Sequence, residues 1–182
     1  LLVATVISAQ TTDENVNRAT PELFRRYPDP ITLAQADPAD VEQVIYSTGF
    51  YRQKTKAIIE LSRDLIEQFD GVVPTTIRDL VKLRGVGRKT ASVVLAEAFG
   101  QPAIAVDTHV RRLSNRLGLS VAPDPDKIES DLKAIFPPAR WGGVSMRFIQ
   151  YGRDVCAART PRCFDCDLVD LCPFPDKTSP VK

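Results

Sequence analysis

Lys89 and Asp107 stand eighteen positions apart, each where the local sequence starts a helix. The segment Leu83-Arg84-Gly85-Val86-Gly87-Arg88-Lys89-Thr90 sets two glycines directly before an apolar helical run. Glycine enters φ > 0 without steric cost, so Gly85 and Gly87 let the backbone take that conformation and bring its N–H groups close to a ligand. At the positive end of a helix dipole, beside Arg88, such a concave set of donors suits a phosphate. An ammonium in the first turn opposes that dipole, and Arg88 repels it further. Both effects favour a neutral, nucleophilic amine at Lys89. Asp107, in Val106-Asp107-Thr108-His109, has the position of an N-cap, and most aspartates at such positions only cap. An amine, a carboxylate and a phosphate-binding turn together suit covalent chemistry on a nucleic-acid sugar. His109, the single histidine, reads as an ordinary first-turn residue with no catalytic role.

A second cluster lies near the C-terminus. Cys156, Cys163, Cys166 and Cys172 are separated by 6, 2 and 5 residues, and no cysteine occurs elsewhere. So tight a set is expected to form one metal-binding unit rather than disulfides. Four thiolates suit Zn²⁺ or an iron–sulfur cluster, and the spacing leaves the metal open. Chelation would also fix the intervening loop, directing Arg159 and Arg162 to phosphates.

The net charge of +1 conceals an uneven distribution. Residues 1–80 carry 8 Lys/Arg against 12 Asp/Glu, residues 81–116 carry 7 against 2, and residues 117–182 carry 9 against 9. Two basic patches on a near-neutral body fit a protein that touches a few phosphates, with a salt dependence of about four to seven charges.

The elements that must position these groups are helical. Leu2, Val6 and Ala9 share a face; Thr11 and Glu14 have capping-box spacing, opening a helix to about Arg26. Asp37-Pro38 and Asp124-Pro125 each place a cap before a first-turn proline. Ile58, Leu61, Leu65 and Ile66 form the stripe of a longer helix ending near Asp70-Gly71. Thr75 or Thr76 caps the next, with Ile77, Leu80, Val81 and Leu83 facing inward. Val93, Val94, Ala96 and Ala98 predict that the Lys89 helix is buried on most sides. No segment alternates as a strand does. The expectation is an all-α protein of roughly ten short helices, with a seam near Gly100-Gln101-Pro102.

At 182 residues, 43% of them hydrophobic, the chain can bury a real core. It has no apolar run of membrane-spanning length and no basic leader, which fits a cytoplasmic protein, nucleoid-associated if bacterial. Leu1 opens in mid-pattern and is not expected to be the natural start.

The Gly-Val-Gly-Arg-Lys-Thr hairpin, the Val-Asp-Thr-His segment, the cysteine array and Leu1–Asp13 together resemble the endonuclease III family of helix-hairpin-helix DNA glycosylase/AP lyases. The resemblance spans essentially the whole chain. It implies two domains with a DNA-binding cleft between them, a six-helix barrel carrying the hairpin over 1–101 and a [4Fe–4S] cluster domain over 102–182. By that resemblance the second domain is also expected to take a helix from a segment ahead of Leu1. It also implies a monomer that acts on double-stranded DNA bearing a damaged base or an abasic site. Such an enzyme would excise oxidised pyrimidines, with Lys89 as Schiff-base nucleophile, Asp107 as catalytic carboxylate and the four cysteines as cluster ligands. Gln10 matches the residue that fills the gap left by an extruded nucleotide, and Phe50 falls where the family usually wedges a leucine. Arg84 replaces the usual proline and is expected to loosen the turn. The alternatives are a mismatch-specific monofunctional glycosylase, against which Lys89 argues, and a non-catalytic DNA-binding module.

Overall fold

In the computed structural model, which describes residues 1–179, the regular structure is all helical, with no strand among the described residues. It divides into two compact units, Leu1–Phe99 and the remainder from Gly100.

The first unit contains α1 (Leu2–Ile7), α2 (Asp13–Arg26), α3 (Pro30–Ala34), α4 (Pro38–Ile45), α5 (Tyr51–Phe69), α6 (Ile77–Leu80) and α7 (Arg88–Phe99). Local chemistry sets the starts. Asp37 accepts the Ala39 N–H at 2.9 Å ahead of Pro38, as its spacing predicts. Asp29 forms a reciprocal capping box with Thr32 ahead of Pro30. At α2 the cap is Thr12, not the expected Thr11; this leaves both Asp13 and Glu14 in the first turn, where they complement the dipole. Thr76 caps α6.

Helix α5 is the central post, packing on α1, α3 and α4, while α7 packs on α1 and α6. Its Ile58, Leu61 and Leu65 are buried as the stripe predicts, and they join Ile7, Leu23, Val41, Ile45 and Leu80 in the core. Each such side chain contributes about 1.5–3 kcal/mol by leaving water. Two expectations fail. Val81 is exposed, because α6 ends at Leu80 after one turn and the next residue falls outside its inward face. Helix α7 buries one face only, Ala91, Ser92, Val94 and Leu95; Val93 and Ala96 are half-buried and Ala98 is exposed.

The second unit contains α8 (Thr108–Arg116), α9 (Pro125–Ile135) and α10 (Trp141–Asp154), followed by a C-terminal stretch whose regular structure is one 3-10 turn, Cys163–Asp165. Asp124 caps α9 through the Asp126 and Lys127 N–H groups. The apolar centre is Ile104, Val110, Ile128 and Leu132, flanked by Val106, Phe136, Trp141 and Phe148. Helix α8 packs closely on α10 at Gly152. A Cβ there would lie 2.8 Å from His109 Nδ1 and 2.9 Å from Arg112 Nη2, so no larger residue fits without a shift.

Candidate nucleic-acid interface

The turn between α6 and α7 closes with a Val86 N–H to Leu83 carbonyl bond of 3.1 Å. Gly85 sits inside it at φ 76°, and a Cβ there would press on Val6 Cγ1 at 3.3 Å and Ala57 Cβ at 3.4 Å. Gly85 is thus required twice, by conformation and by close packing. Gly87 does not use glycine's freedom: its φ is not positive and the space around it is open. One left-handed residue suffices to reverse the chain here, and Gly87 already belongs to the helix entry, its carbonyl accepting the Ala91 N–H at 2.9 Å.

Arg84 does not leave the turn loose. Its backbone N–H donates to Asp64 Oδ2 at 2.8 Å, and its Nε lies 3.1 Å from Glu60 Oε2, both acceptors belonging to α5. A proline at this position would offer no N–H, so the tether needs a residue such as Arg84. The ion pair is exposed and adds little; the bond to the backbone fixes the turn.

Gly85, Gly87, Arg88 and Lys89 are all exposed. Lys89 lines an open groove of about 920 Å³ with Thr5, Ser8, Gln10, Asp13 and Thr90. Gln10 also lines a second groove, of about 610 Å³, with Phe50, Gln53, Lys54 and Gly85. The first unit therefore brings Lys89, Gln10, Phe50 and Gly85 to one stretch of surface, with Gln10 common to both hollows. Gln10 (φ 55°) and Phe50 (φ 48°) adopt the left-handed region that side-chain-bearing residues rarely occupy. The third such residue, Asp70, is explained by its place at the C-cap of α5. Phe50 opens α5 without a side-chain cap and is 62% exposed. Strain of this kind persists where the surrounding structure holds it, and it gathers at functional sites.

Asp107 belongs to the second unit and caps α8. Its Oδ1 accepts the Val110 N–H at 2.8 Å, and the side chain is half-buried. Capping occupies one carboxylate oxygen, Oδ1.

In the C-terminal stretch the four cysteines are free thiols lining one cavity. Among the described residues, however, no three Cys, His, Asp or Glu side chains gather so as to hold a metal ion. That finding overturns the expectation of a [4Fe–4S] or zinc centre on Cys156, Cys163, Cys166 and Cys172. The sulfurs take protein partners instead. Arg116 Nη1 donates to Cys156 Sγ, the Tyr151 hydroxyl to Cys166 Sγ, and the Cys172 thiol to the Arg116 carbonyl, each at 3.3 Å. Burial, reinforced by the Cys166 sulfur, pushes the Tyr151 phenol up to about 12.

Two arginines of α8 that the sequence gave no reason to single out hold this stretch. Arg116 donates to the carbonyls of Ala157 (2.8 Å) and Ala158 (2.9 Å) and stacks 4.5 Å from the Phe174 ring centre. Arg112 donates to the carbonyls of Cys156 (3.1 Å) and Gly152 (2.9 Å). Their i, i+4 spacing puts both on one helix face, the only signal the sequence offered. Arg159 is exposed; Arg162 donates to the Asp154 carbonyl and lies 3.8 Å from Asp165 Oδ2.

No described helix is long and apolar enough to cross a membrane.

The family model described as HhH-GPD superfamily base excision DNA repair protein matches residues 3–138, a span that contains Lys89 and Asp107. Endonuclease III of Synechocystis sp. is 54% identical over 174 residues, covering 95% of this chain and 80% of the relative. Endonuclease III of Thermotoga maritima is 44% identical, covering 96% and 82%. A solved structure of a trapped endonuclease III–DNA covalent intermediate, an estranged-adenine complex, superposes with a TM-score of 0.87 at 44% identity, covering 94% of this chain and 81% of that one. A thermostable thymine-DNA glycosylase shares the fold at 23% identity and a TM-score of 0.83. A match of this breadth, continuous through the glycine turn and both helix starts, makes the chain a member of the endonuclease III family within the HhH-GPD superfamily of base excision DNA repair proteins.

Proposed function

We propose that the chain is a bifunctional DNA glycosylase and AP lyase that removes oxidised pyrimidines from double-stranded DNA. The observation that carries this reading is an exposed lysine amine at the start of α7, in a groove it shares with strained Gln10.

The damaged nucleotide leaves the stack at a cost of a few kcal/mol, which weak stacking of an oxidised base reduces. The amine of Lys89 attacks the sugar C1′ through its nitrogen lone pair. The C1′–N bond breaks and its electron pair departs with the base, which takes up a proton. Asp107 stabilises the positive charge that develops on the sugar. The C1′–O4′ bond then breaks, its electron pair taking a proton shed by the lysine nitrogen, and the opened sugar is held as a protonated imine, which acidifies the C2′ hydrogen. Loss of that proton expels the 3′ phosphate by β-elimination, and water hydrolyses the imine to return Lys89. A water nucleophile in place of the amine would stop at the abasic sugar, so the lysine is what makes strand cleavage available.

Gly85, Gly87 and Arg88 are assigned to the DNA backbone beside the nucleophile, Gln10 and Phe50 to the duplex at the vacated position, and Arg159 and Arg162 to phosphates further along. The unit up to Phe99 serves as the hairpin-bearing barrel.

Borohydride reduction with duplex DNA carrying an oxidised pyrimidine is expected to trap a covalent adduct in the wild type. Lys89→Gln should abolish it and lower strand cleavage by ~10³-fold or more, with folding intact because the side chain is exposed. An adduct of unchanged yield in Lys89→Gln would remove Lys89 as the nucleophile.

A further inference from the structure

Lys54 is the only buried lysine among the described residues, 6% exposed. Its ammonium donates to the Thr48 carbonyl at 2.7 Å, and no carboxylate pairs with it among the described residues. Burying an ammonium with one acceptor for three donors is costly, and desolvation pushes its pKa below the ordinary lysine value. Such a placement calls for a structural return.

What it touches supplies one. Thr48 ends the 3-10 turn Tyr46–Thr48, is itself buried, and turns its hydroxyl back to the Ile45 carbonyl at 2.7 Å. The next two residues, Gly49 (φ 67°) and Phe50 (φ 48°), form a corner with consecutive positive φ angles. Lys54 grips this corner from both ends. Its side chain holds the Thr48 carbonyl that enters, and its backbone N–H holds the Phe50 carbonyl that leaves, at 3.1 Å. Without the ammonium, a buried carbonyl loses its partner and the left-handed Phe50 loses the tie that opposes relaxation.

We propose that Lys54 is a positioning residue that locks the Thr48–Phe50 corner, so that Phe50 enters the duplex as a preset wedge when the damaged nucleotide is extruded. This rests on the glycosylase reading above and deepens it, by assigning the rigidity of the wedge to one buried side chain.

The test uses the full chain, with Lys54→Met (similar length, no donor), Lys54→Arg, Phe50→Ala and the Lys54→Met/Phe50→Ala pair. One substrate is a duplex with an oxidised pyrimidine, read by single-turnover base excision. The other is single-stranded DNA with a preformed abasic site, read by borohydride trapping, where no base need be extruded. Lys54→Met is expected to slow excision ~10- to 100-fold, as misplacement of a positioning element does, and to change abasic trapping by less than about twofold. Lys54→Arg should recover part of the loss, and adding Lys54→Met to Phe50→Ala should cost nothing further. Additive losses in the pair, unchanged excision in Lys54→Met, or trapping that falls in parallel with excision would each overturn the proposal. Should Lys54→Met fail to fold, as judged by circular dichroism, Lys54→Gln, a shorter side chain with a neutral donor, replaces it: a smaller loss is expected that vanishes in the Phe50→Ala background, and an additive loss there would overturn the proposal. A wild-type protein that neither excises the base from the damaged duplex nor traps abasic DNA would sink the glycosylase reading instead, a result distinct from any of these.

Discussion

The two units are held together by different forces. Among the described residues the first has eighteen buried apolar side chains in one cluster around α5, whereas the second has four in its cluster, then a long stretch from residue 155 with almost no regular structure. In the first, burial carries the fold and leaves a margin for backbone strain at Gln10 and Phe50. In the second, guanidinium groups from α8 reach carbonyls some forty residues later, substituting directed hydrogen bonds for a core. The difference teaches where each region is vulnerable: the first to lost volume, the second to lost donors.

Lost volume should show the largest effect. Leu61, fully buried on α5, is expected to cost about 2–5 kcal/mol when replaced by alanine. Denaturant unfolding followed by hydrogen exchange should show protection lost across α1 and α5. A loss below about 1 kcal/mol would mean that the first unit does not depend on its central post as its packing implies.

Lost donors come next. Arg116→Met keeps an apolar stem but removes two bonds to carbonyls and the stacking on Phe174. The expected cost is about 1.5–3 kcal/mol, confined to the C-terminal stretch, so limited proteolysis should cut within 156–174 while α5 keeps its protection. If the stretch stays resistant, its hold is apolar after all and the contrast between the units dissolves.

The same contrast explains what was legible in the sequence. Helix starts at Asp37-Pro38, Asp124-Pro125, Thr76 and Asp107 were readable because capping is local, completed within three residues. The α5 stripe was readable because a helix repeats its own face. Lys54 was not, because lysine is ordinarily a solvent-facing residue and nothing nearby announces its burial. Neither were Arg112 and Arg116, whose acceptors are distant in the chain and are backbone atoms without sequence identity. The left-handed angles at Gln10 and Phe50 were hidden because only glycine advertises them. Cysteine spacing invited a metal centre, but coordination requires convergence in space, and that convergence is not found among the described residues.

The smallest effect separates glycines kept by the fold from glycines kept for DNA. Gly85→Ala forces a side chain into φ 76° and against Val6, so a loss of about 1–2 kcal/mol is expected. Gly87 has ordinary φ and open space, so Gly87→Ala should change stability by no more than about 0.5 kcal/mol. Its value must then lie elsewhere. Directly ahead of α7, a bare backbone lets a phosphate approach the helix's first N–H groups, and a methyl group there would hold that phosphate off. Gly87→Ala should therefore weaken binding to abasic duplex DNA several-fold while its melting temperature stays within a degree or two, ~0.5 kcal/mol at most. Equal binding by both proteins would make Gly87 a plain helix entry and leave Gly85 as the one glycine this turn requires.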